Sequence, residues 1–178
     1  AAGGEGSTLG PRDGDVYAVG QGFGQNFAGG AIFFTPDTGA KIMGGAILDK
    51  YRALGGPADS GLGFPNIDEG AGKAEGSRNS TFSAGDHPVI FWTPDHGAWV
   101  VRGAVNAAWD KLGGSAGVLG VPIADESYAG DVISQKFTGG QVSYDIKAKT
   151  FTSEPPELSR ELAGLAVPVD PAAAIATA

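Results

Sequence analysis

Leu62-Gly63-Phe64-Pro65, trailed by Asp68-Glu69, returns 57 positions later as Leu119-Gly120-Val121-Pro122, trailed by Asp125-Glu126. The residues ahead of each copy repeat too. Phe33-Phe34-Thr35-Pro36-Asp37-Thr38-Gly39-Ala40, Gly45-Ala46-Ile47, Tyr51 and Leu54-Gly55-Gly56 come back as Phe91-Trp92-Thr93-Pro94-Asp95-His96-Gly97-Ala98, Gly103-Ala104-Val105, Trp109 and Leu112-Gly113-Gly114, offset by 58. A unit this small cannot bury its own apolar face, so its copies must stack.

Inside each unit the residues read as a hairpin followed by a helix. Ala31-Ile32-Phe33-Phe34-Thr35 is rich in β-formers, Pro36-Asp37-Thr38-Gly39 supplies turn chemistry, and Ala40-Lys41-Ile42-Met43 returns. Val89-Ile90-Phe91-Trp92-Thr93, Pro94-Asp95-His96-Gly97 and Ala98-Trp99-Val100-Val101 do the same. Ile47, Tyr51 and Leu54 then fall at i, i+4 and i+7, as do Val105, Trp109 and Leu112, giving one apolar stripe per helix. Lys50 and Lys111 stand in the last turns, where a cation suits the helix dipole, and Gly55 and Gly113 end the helices. Helices of about ten residues are marginal alone. Tyr51 and Trp109 are therefore expected as core anchors.

A third unit is partial. Gln135-Lys136-Phe137-Thr138-Gly139-Gly140 matches Gln25-Asn26-Phe27-Ala28-Gly29-Gly30, and Val142-Ser143-Tyr144 matches Ile32-Phe33-Phe34, offset by 110. Its turn changes to Asp145-Ile146-Lys147-Ala148, and the return strand Lys149-Thr150-Phe151-Thr152 runs into Pro155-Pro156 with no matching helix. Leu9-Gly10-Pro11, with Asp13 and Asp15, reads as a worn copy of the tetrapeptide element. Asp86-His87-Pro88 is an insertion ahead of the second hairpin, and the glycine run 20–24 reads as a loop. The expected organisation is a flexible start at 1–6 and a repeat domain at 7–155 with units at about 7–54, 55–112 and 113–152. A C-terminal helical segment at 156–167 and an Ala/Pro-rich tail at 168–178 follow. The fold class expected is α+β: tandem β-hairpin plus short-helix repeats, two full and one partial, stacked into one domain as a partial propeller-like or open array.

Composition narrows the function. At 178 residues the chain supports one core, burying about 70% of its unfolded surface. A formal charge of −8, with only 12 Lys and Arg, leaves no basic footprint, so neither nucleic acid nor an anionic membrane is an expected partner. Zero cysteines exclude disulfides, thiolate metal sites and cysteine nucleophiles. No apolar run is long enough for a membrane span. The start, Ala1-Ala2-Gly3-Gly4, reads as that of a processed or trimmed fragment.

The tetrapeptide with its trailing Asp-Glu, the hairpin Gly-x-Ile-aromatic-aromatic-x-Pro-x-x-Gly-Ala and the helix ending Leu-Gly-Gly, all in register over roughly residues 7–152, resemble the LGFP repeat. That resemblance implies an exported cell-envelope protein of actinobacteria, associated with wall polysaccharide. Longer arrays of the family resemble closed rings of about five units, which this chain, with between two and three, does not reach. Val121 stands where the tetrapeptide has Phe.

Candidate residues divide by strand face. Phe34, Trp92 and Tyr144 share one repeat position, two residues after Ile32, Ile90 and Val142, and alternation makes this the expected core face. Phe33, Phe91 and Ser143 lie on the opposite face. If the sheet packs on one side only, Phe33 and Phe91 are exposed platforms for a sugar ring; alternatively they contact the neighbouring unit. Trp99, where the first copy has Lys41, is not demanded by the repeat and is a further platform candidate. Leu62, Gly63, Phe64, Pro65 and Leu119, Gly120, Val121, Pro122 are expected to be structural.

Asp37 and Asp95 read as turn residues. Asp68-Glu69 and Asp125-Glu126 are adjacent carboxylates whose side chains point apart on a strand, which fits neither an acid/base pair nor a calcium loop. His87 and His96 lack a nucleophile elbow and metal spacing. No catalytic residue, metal or cofactor is expected. The expected function is a non-catalytic, secreted, wall-associated module that binds a cell-wall glycan, arabinogalactan or peptidoglycan, and anchors or organises the envelope. The alternatives are a scaffold for an envelope protein and, third, a small cell-wall hydrolase.

Overall fold

Each hairpin is one half of a four-stranded antiparallel meander. A computed structural model describes residues 9–168; the expected flexible start and all of the expected tail except Pro168 lie outside them. The first sheet comprises β1 (Tyr17–Val19), β2 (Gly22–Phe27), β3 (Gly30–Thr35) and β4 (Gly39–Met43). The second comprises β5 (Gly70–Ala71), β6 (Arg78–Thr81), β7 (Val89–Thr93) and β8 (Gly97–Val101). The third comprises β9 (Ser127–Ala129), β10 (Val132–Phe137), β11 (Gly140–Asp145) and β12 (Thr150–Glu154). Within each, neighbours in sequence are neighbours in the sheet. The described residues thus form an α+β repeat domain of three small sheets with short helices and no closed barrel.

Two sequence expectations change here. The glycine run 20–24 is not a loop but the turn and start of a hairpin, with Tyr17 paired to Gly24 and Val19 to Gly22. Glycine is a poor strand former, yet Gly24 has no room for a side chain, because the Tyr17 ring lies across it. The third sheet is complete, and what the third unit lacks is only its helix.

The helices α1 (Gly45–Leu54) and α3 (Gly103–Lys111) lie between consecutive sheets, α1 packing on β3, β7 and β8 and α3 on β10 and β11. Each is followed by a short turn, α2 (Gly56–Asp59) or a 3-10 turn at Gly114–Ala116. The core therefore sits between units. One cluster joins Phe33, Met43, Ile47, Leu48 and Tyr51 of the first unit to Leu62, Phe64, Phe82, Ile90 and Val100 of the second. The other joins Phe91, Val101, Val105, Trp109 and Leu112 to Leu119, Ile133, Phe137 and Val142. Tyr51 stacks between Phe33 (5.5 Å) and Phe82 (4.8 Å), and Trp109 between Phe91 (5.2 Å) and Phe137 (5.7 Å). These rings supply large apolar area to helices too short to persist alone.

The tetrapeptide seals each interface. Leu62, Phe64, Pro65, Leu119 and Pro122 are buried, and Val121 is half-buried. Pro65 and Pro122 bridge to Phe82 and Phe137, as Arg12 does to Phe27, so residues 9–12 are the first copy of the element. Gly63 and Gly120 have φ of 83° and 74°, and a Cβ on either would collide with the hydroxyl of Ser83 or Thr138. Those hydroxyls accept from Phe64 N (2.9 Å) and Val121 N (3.1 Å). The glycine carbonyls accept from the helix aromatics, Gly63 O from Tyr51 Oη (2.5 Å) and Gly120 O from Trp109 Nε1 (2.9 Å).

The trailing carboxylates staple successive units. Asp68 accepts from Ile42 N (2.9 Å) and Glu69 from Gly44 N (3.0 Å), where α1 begins with no side-chain cap of its own. Asp125 repeats the bond to Val100 N (2.8 Å). Lys50, expected to answer the helix dipole, instead reaches Asp125 at 2.5 Å.

The expected core face is covered on the second and third sheets and open on the first, and the face expected to be free is covered as well, for a reason the stacking explains. Phe33 and Phe91 are each 2% exposed, because that face of each sheet meets the helix of its own unit. The opposite face meets the helix of the preceding unit. Tyr144, Val142 and Ile90 are accordingly buried and Trp92 half-buried, while Phe34, which meets no preceding helix among the described residues, is 39% exposed. Leu54, expected on the buried stripe, is also exposed, and Leu48 is buried in its stead. At the far end α4 (Glu157–Arg160) and the turn after it bring Leu162, fully buried, onto the second cluster.

Candidate functional site

The second unit departs from the first beside its helix. Offset by 58 residues, the buried Leu48 of α1 becomes Asn106 of α3, Arg52 becomes Asp110 and Pro57 becomes Ser115. Gly24, opposite Phe33, is replaced by Asn79, opposite Phe91. The connection from β5 to β6 also grows, running over residues 72–77, where only residues 20–21 and 130–131 join the matching strands.

These changes open a pocket of about 190 Å³ lined by Lys73, Asn79, Phe91, Asn106, Trp109 and Asp110, with Val89, Gly114 and Ser115. The long loop is braced for it. Gly72 N donates to Ser77 O (3.0 Å), Ser77 Oγ to Ala74 O (2.6 Å) and Ala74 N to Ser115 Oγ (2.9 Å), which ties the loop to the end of α3 and carries Lys73 to the rim beside Gly114. Asn106 Nδ2 donates to His87 O (3.0 Å), fixing the amide and leaving its oxygen as an acceptor. His87 reaches that position in the left-handed conformation, φ 56°, inside the 86–88 insertion. The insertion is held by Asp86, fully buried and bound by Arg102 through Nε (2.6 Å) and Nη2 (2.9 Å).

The floor is Phe91 and Trp109, edge to face at 89°. Both are nearly covered, so they present edges rather than an open platform, and the Trp109 N–H is already engaged with Gly120 O. An ammonium, a carboxylate and two amides thus surround an aromatic floor. That set offers donors and acceptors to a ring of hydroxyls while the floor meets its C–H faces. At about 190 Å³ the space falls below the ~300–1,000 Å³ of a drug-sized site, which suits a single small ring.

Of the residues singled out as ligand platforms, Phe33 is buried between units and Phe91 reaches the pocket only from beneath. Trp99 stands apart on edge strand β8, half-buried, its Nε1 donating to His96 O (2.6 Å) and Lys50 Nζ 5.2 Å from its ring centre. The structure does not bring these three together. Lys73, Asn79, Asn106 and Asp110 were missed. The signal available for them was internal: a leucine that becomes asparagine within an otherwise matching apolar stripe.

A second hollow of about 370 Å³ is lined by Ile42, Gly44, Asp68, Glu69 and Arg78 among others. Its carboxylates are already engaged, Glu69 also with Arg78 Nε at 2.7 Å. Burial, helped by Tyr17, raises the Tyr51 phenol above its ordinary range, and burial, helped by Asp145, raises that of Tyr144. Both phenols therefore stay neutral in ordinary buffers. Among the described residues no three His, Asp or Glu side chains converge to hold a metal ion, and no helix is long and apolar enough to cross a membrane.

The family model described as LGFP repeat matches residues 9–59 and 62–117, more than half of the chain. The two matched segments take in the first two sheets with their helices, and the third sheet lies outside them. No curated protein matches the chain.

Proposed function

The chain belongs to the LGFP repeat family, and from that premise we propose that it is a non-catalytic, exported, wall-associated module that binds a cell-wall glycan through the pocket of its second unit. The carrying observation is the replacement of the buried Leu48 by Asn106 at a matched helix position, beside Asn79, Asp110 and Lys73. Packing alone favours leucine there, as the first unit demonstrates. A polar group in its place, at the rim of a hollow, fits recognition rather than stability. Family membership supports the wall setting, arabinogalactan or peptidoglycan being the glycans on offer. A net charge of −8 gives no attraction to an uncharged polysaccharide, so hydrogen bonds and C–H contacts must supply the affinity, which should be weak and tolerant of salt. Avidity from several copies on one surface then raises retention.

The test is retention on purified cell wall, before and after removal of each polysaccharide layer, for the wild type and for Asn106→Leu, which installs the first unit's residue. Retention should disappear with one layer and fall several-fold in the variant. Equal retention of the two proteins would exclude this pocket. The scaffold reading rests on a different feature, the exposed aromatic face of the first sheet.

A further inference from the structure

Among the described residues, two of the three sheets carry a helix on the face that looks back along the array. On the second sheet, Ile90 and Val100 are covered by α1, and on the third, Ile133, Phe137 and Val142 by α3. The strand registers identify the same positions on the first sheet as Phe23, Phe27, Ile32, Phe34 and Ile42. There Phe23 is 49% and Phe34 39% exposed, paired directly across β2 and β3, and the other three are only half-buried.

The opposite end of the array is finished differently. Where Phe33 and Phe91 receive the helix of their own unit, the third sheet has Ser143, hydrogen-bonded across the strands to Ser134 at 2.7 Å. That terminal face is polar and needs no cover. Terminal repeats are normally modified in this way for solubility. Among the described residues only one end of the array is.

Charge marks the same face. Asp125, bound to Val100 N on β8, also takes Lys50 from the helix that covers the second sheet. Asp68 is bound in the same way to Ile42 N on β4, is exposed, and meets no cation among the described residues. The first sheet thus has the apolar floor and the carboxylate of a helix-receiving interface.

We propose that this face docks a helix of the repeat's own type supplied by a partner chain, with an aromatic at mid-stripe and a lysine or arginine immediately before it, as in Lys50-Tyr51. The aromatic enters among Phe23, Phe27 and Phe34 as Tyr51 does against Phe82, and the cation reaches Asp68. Continuity with the two internal interfaces identifies the occupant. A second copy stacked head to tail would set the polar Ser134–Ser143 face against these phenylalanines.

The probe is a peptide with the sequence of residues 44–60, held helical by a lactam from Asp49 to the new lysine of Ala53→Lys, both on exposed positions, since so short a helix is marginal when free. Amide shifts on the intact protein should map to β2, β3 and β4. Phe34→Ser, at an exposed position, should weaken binding by roughly tenfold or more, the scale of one interface aromatic. Asp68→Asn, which keeps the acceptor for Ile42 N, should weaken it less and remove its salt dependence. Replacing the peptide's tyrosine with alanine should abolish it. Absence of binding, or shifts elsewhere than the first sheet, would overturn the proposal. So would a dimer of the protein itself in sedimentation that Phe34→Ser dissolves, since a second copy would then own the face. The glycan pocket lies on the second unit, so its fate is read independently.

Discussion

Replacing Tyr51 with alanine should separate the first unit from the other two. Its ring is fully buried, lies 5.5 Å from Phe33 and 4.8 Å from Phe82, and its hydroxyl donates to Gly63 O. Truncating a large buried aromatic costs about 3–5 kcal/mol, and the lost hydrogen bond adds about 1 kcal/mol. Against a total of roughly 5–15 kcal/mol for a domain, that suffices to unfold the first unit well before the rest, because in stacked repeats each unit contacts only its neighbours. Equilibrium urea denaturation reads this directly. All three tryptophans, Trp92, Trp99 and Trp109, lie in the second unit, so their emission follows that unit, while far-ultraviolet circular dichroism follows the whole. The two signals should coincide in the wild type and diverge in Tyr51→Ala. Tyr51→Phe keeps both ring contacts and should lose only about 0.5–1.5 kcal/mol. A loss below ~1 kcal/mol in Tyr51→Ala, or equal losses in the two variants, would refute an interface centred on this ring.

Tyr51 also sets an alkaline limit. Its phenol is raised in the folded chain, so above the ordinary value near 10 the unfolded state sheds its proton first, and stability falls as pH rises beyond that point while being fully present below it; urea midpoints measured across this range should fall less steeply in Tyr51→Phe. Arg102→Met should cost about 3–5 kcal/mol by leaving the buried Asp86 carboxylate unpaired, and a thermal melt unchanged from wild type would contradict that pairing. Leu162→Ala should cost about 2–5 kcal/mol because Leu162 is fully buried on the second cluster; a loss within measurement error would mean that residues beyond α4 do not cap the array.

Much of this architecture was legible because it repeats. The turn prolines and glycines, the Ile47-Tyr51 and Val105-Trp109 pairs and the tetrapeptides each appear twice, and local chemistry explains each. What was not legible depends on neighbours. Alternation separates Phe33 from Phe34 but cannot tell which face is covered, and here both faces of the second sheet are. Strands β1 and β5 consist of only three and two residues, too short for alternation to mark them, and pairing to the next strand holds them. Leu54 and Leu48 flank the same stripe, and which is buried follows from the packing of α1 on β3, β7 and β8. The pocket draws on a loop, a strand and a helix spread over residues 73–115, so no single motif announces it. Asn106 in the place of Leu48 was the one visible trace.

Binding of wall glycan in the second unit's pocket can be observed in a nuclear magnetic resonance titration of the intact protein with arabinogalactan or peptidoglycan fragments. Side-chain amide signals of Asn79 and Asn106 and the indole N–H of Trp109 resolve separately from those of Trp92 and Trp99. Saturable shifts are expected at Asn79, Asn106 and Trp109, unaltered by added salt and lost in Asn106→Leu. Shifts centred instead on Trp99, or none at any fragment concentration, would contradict it.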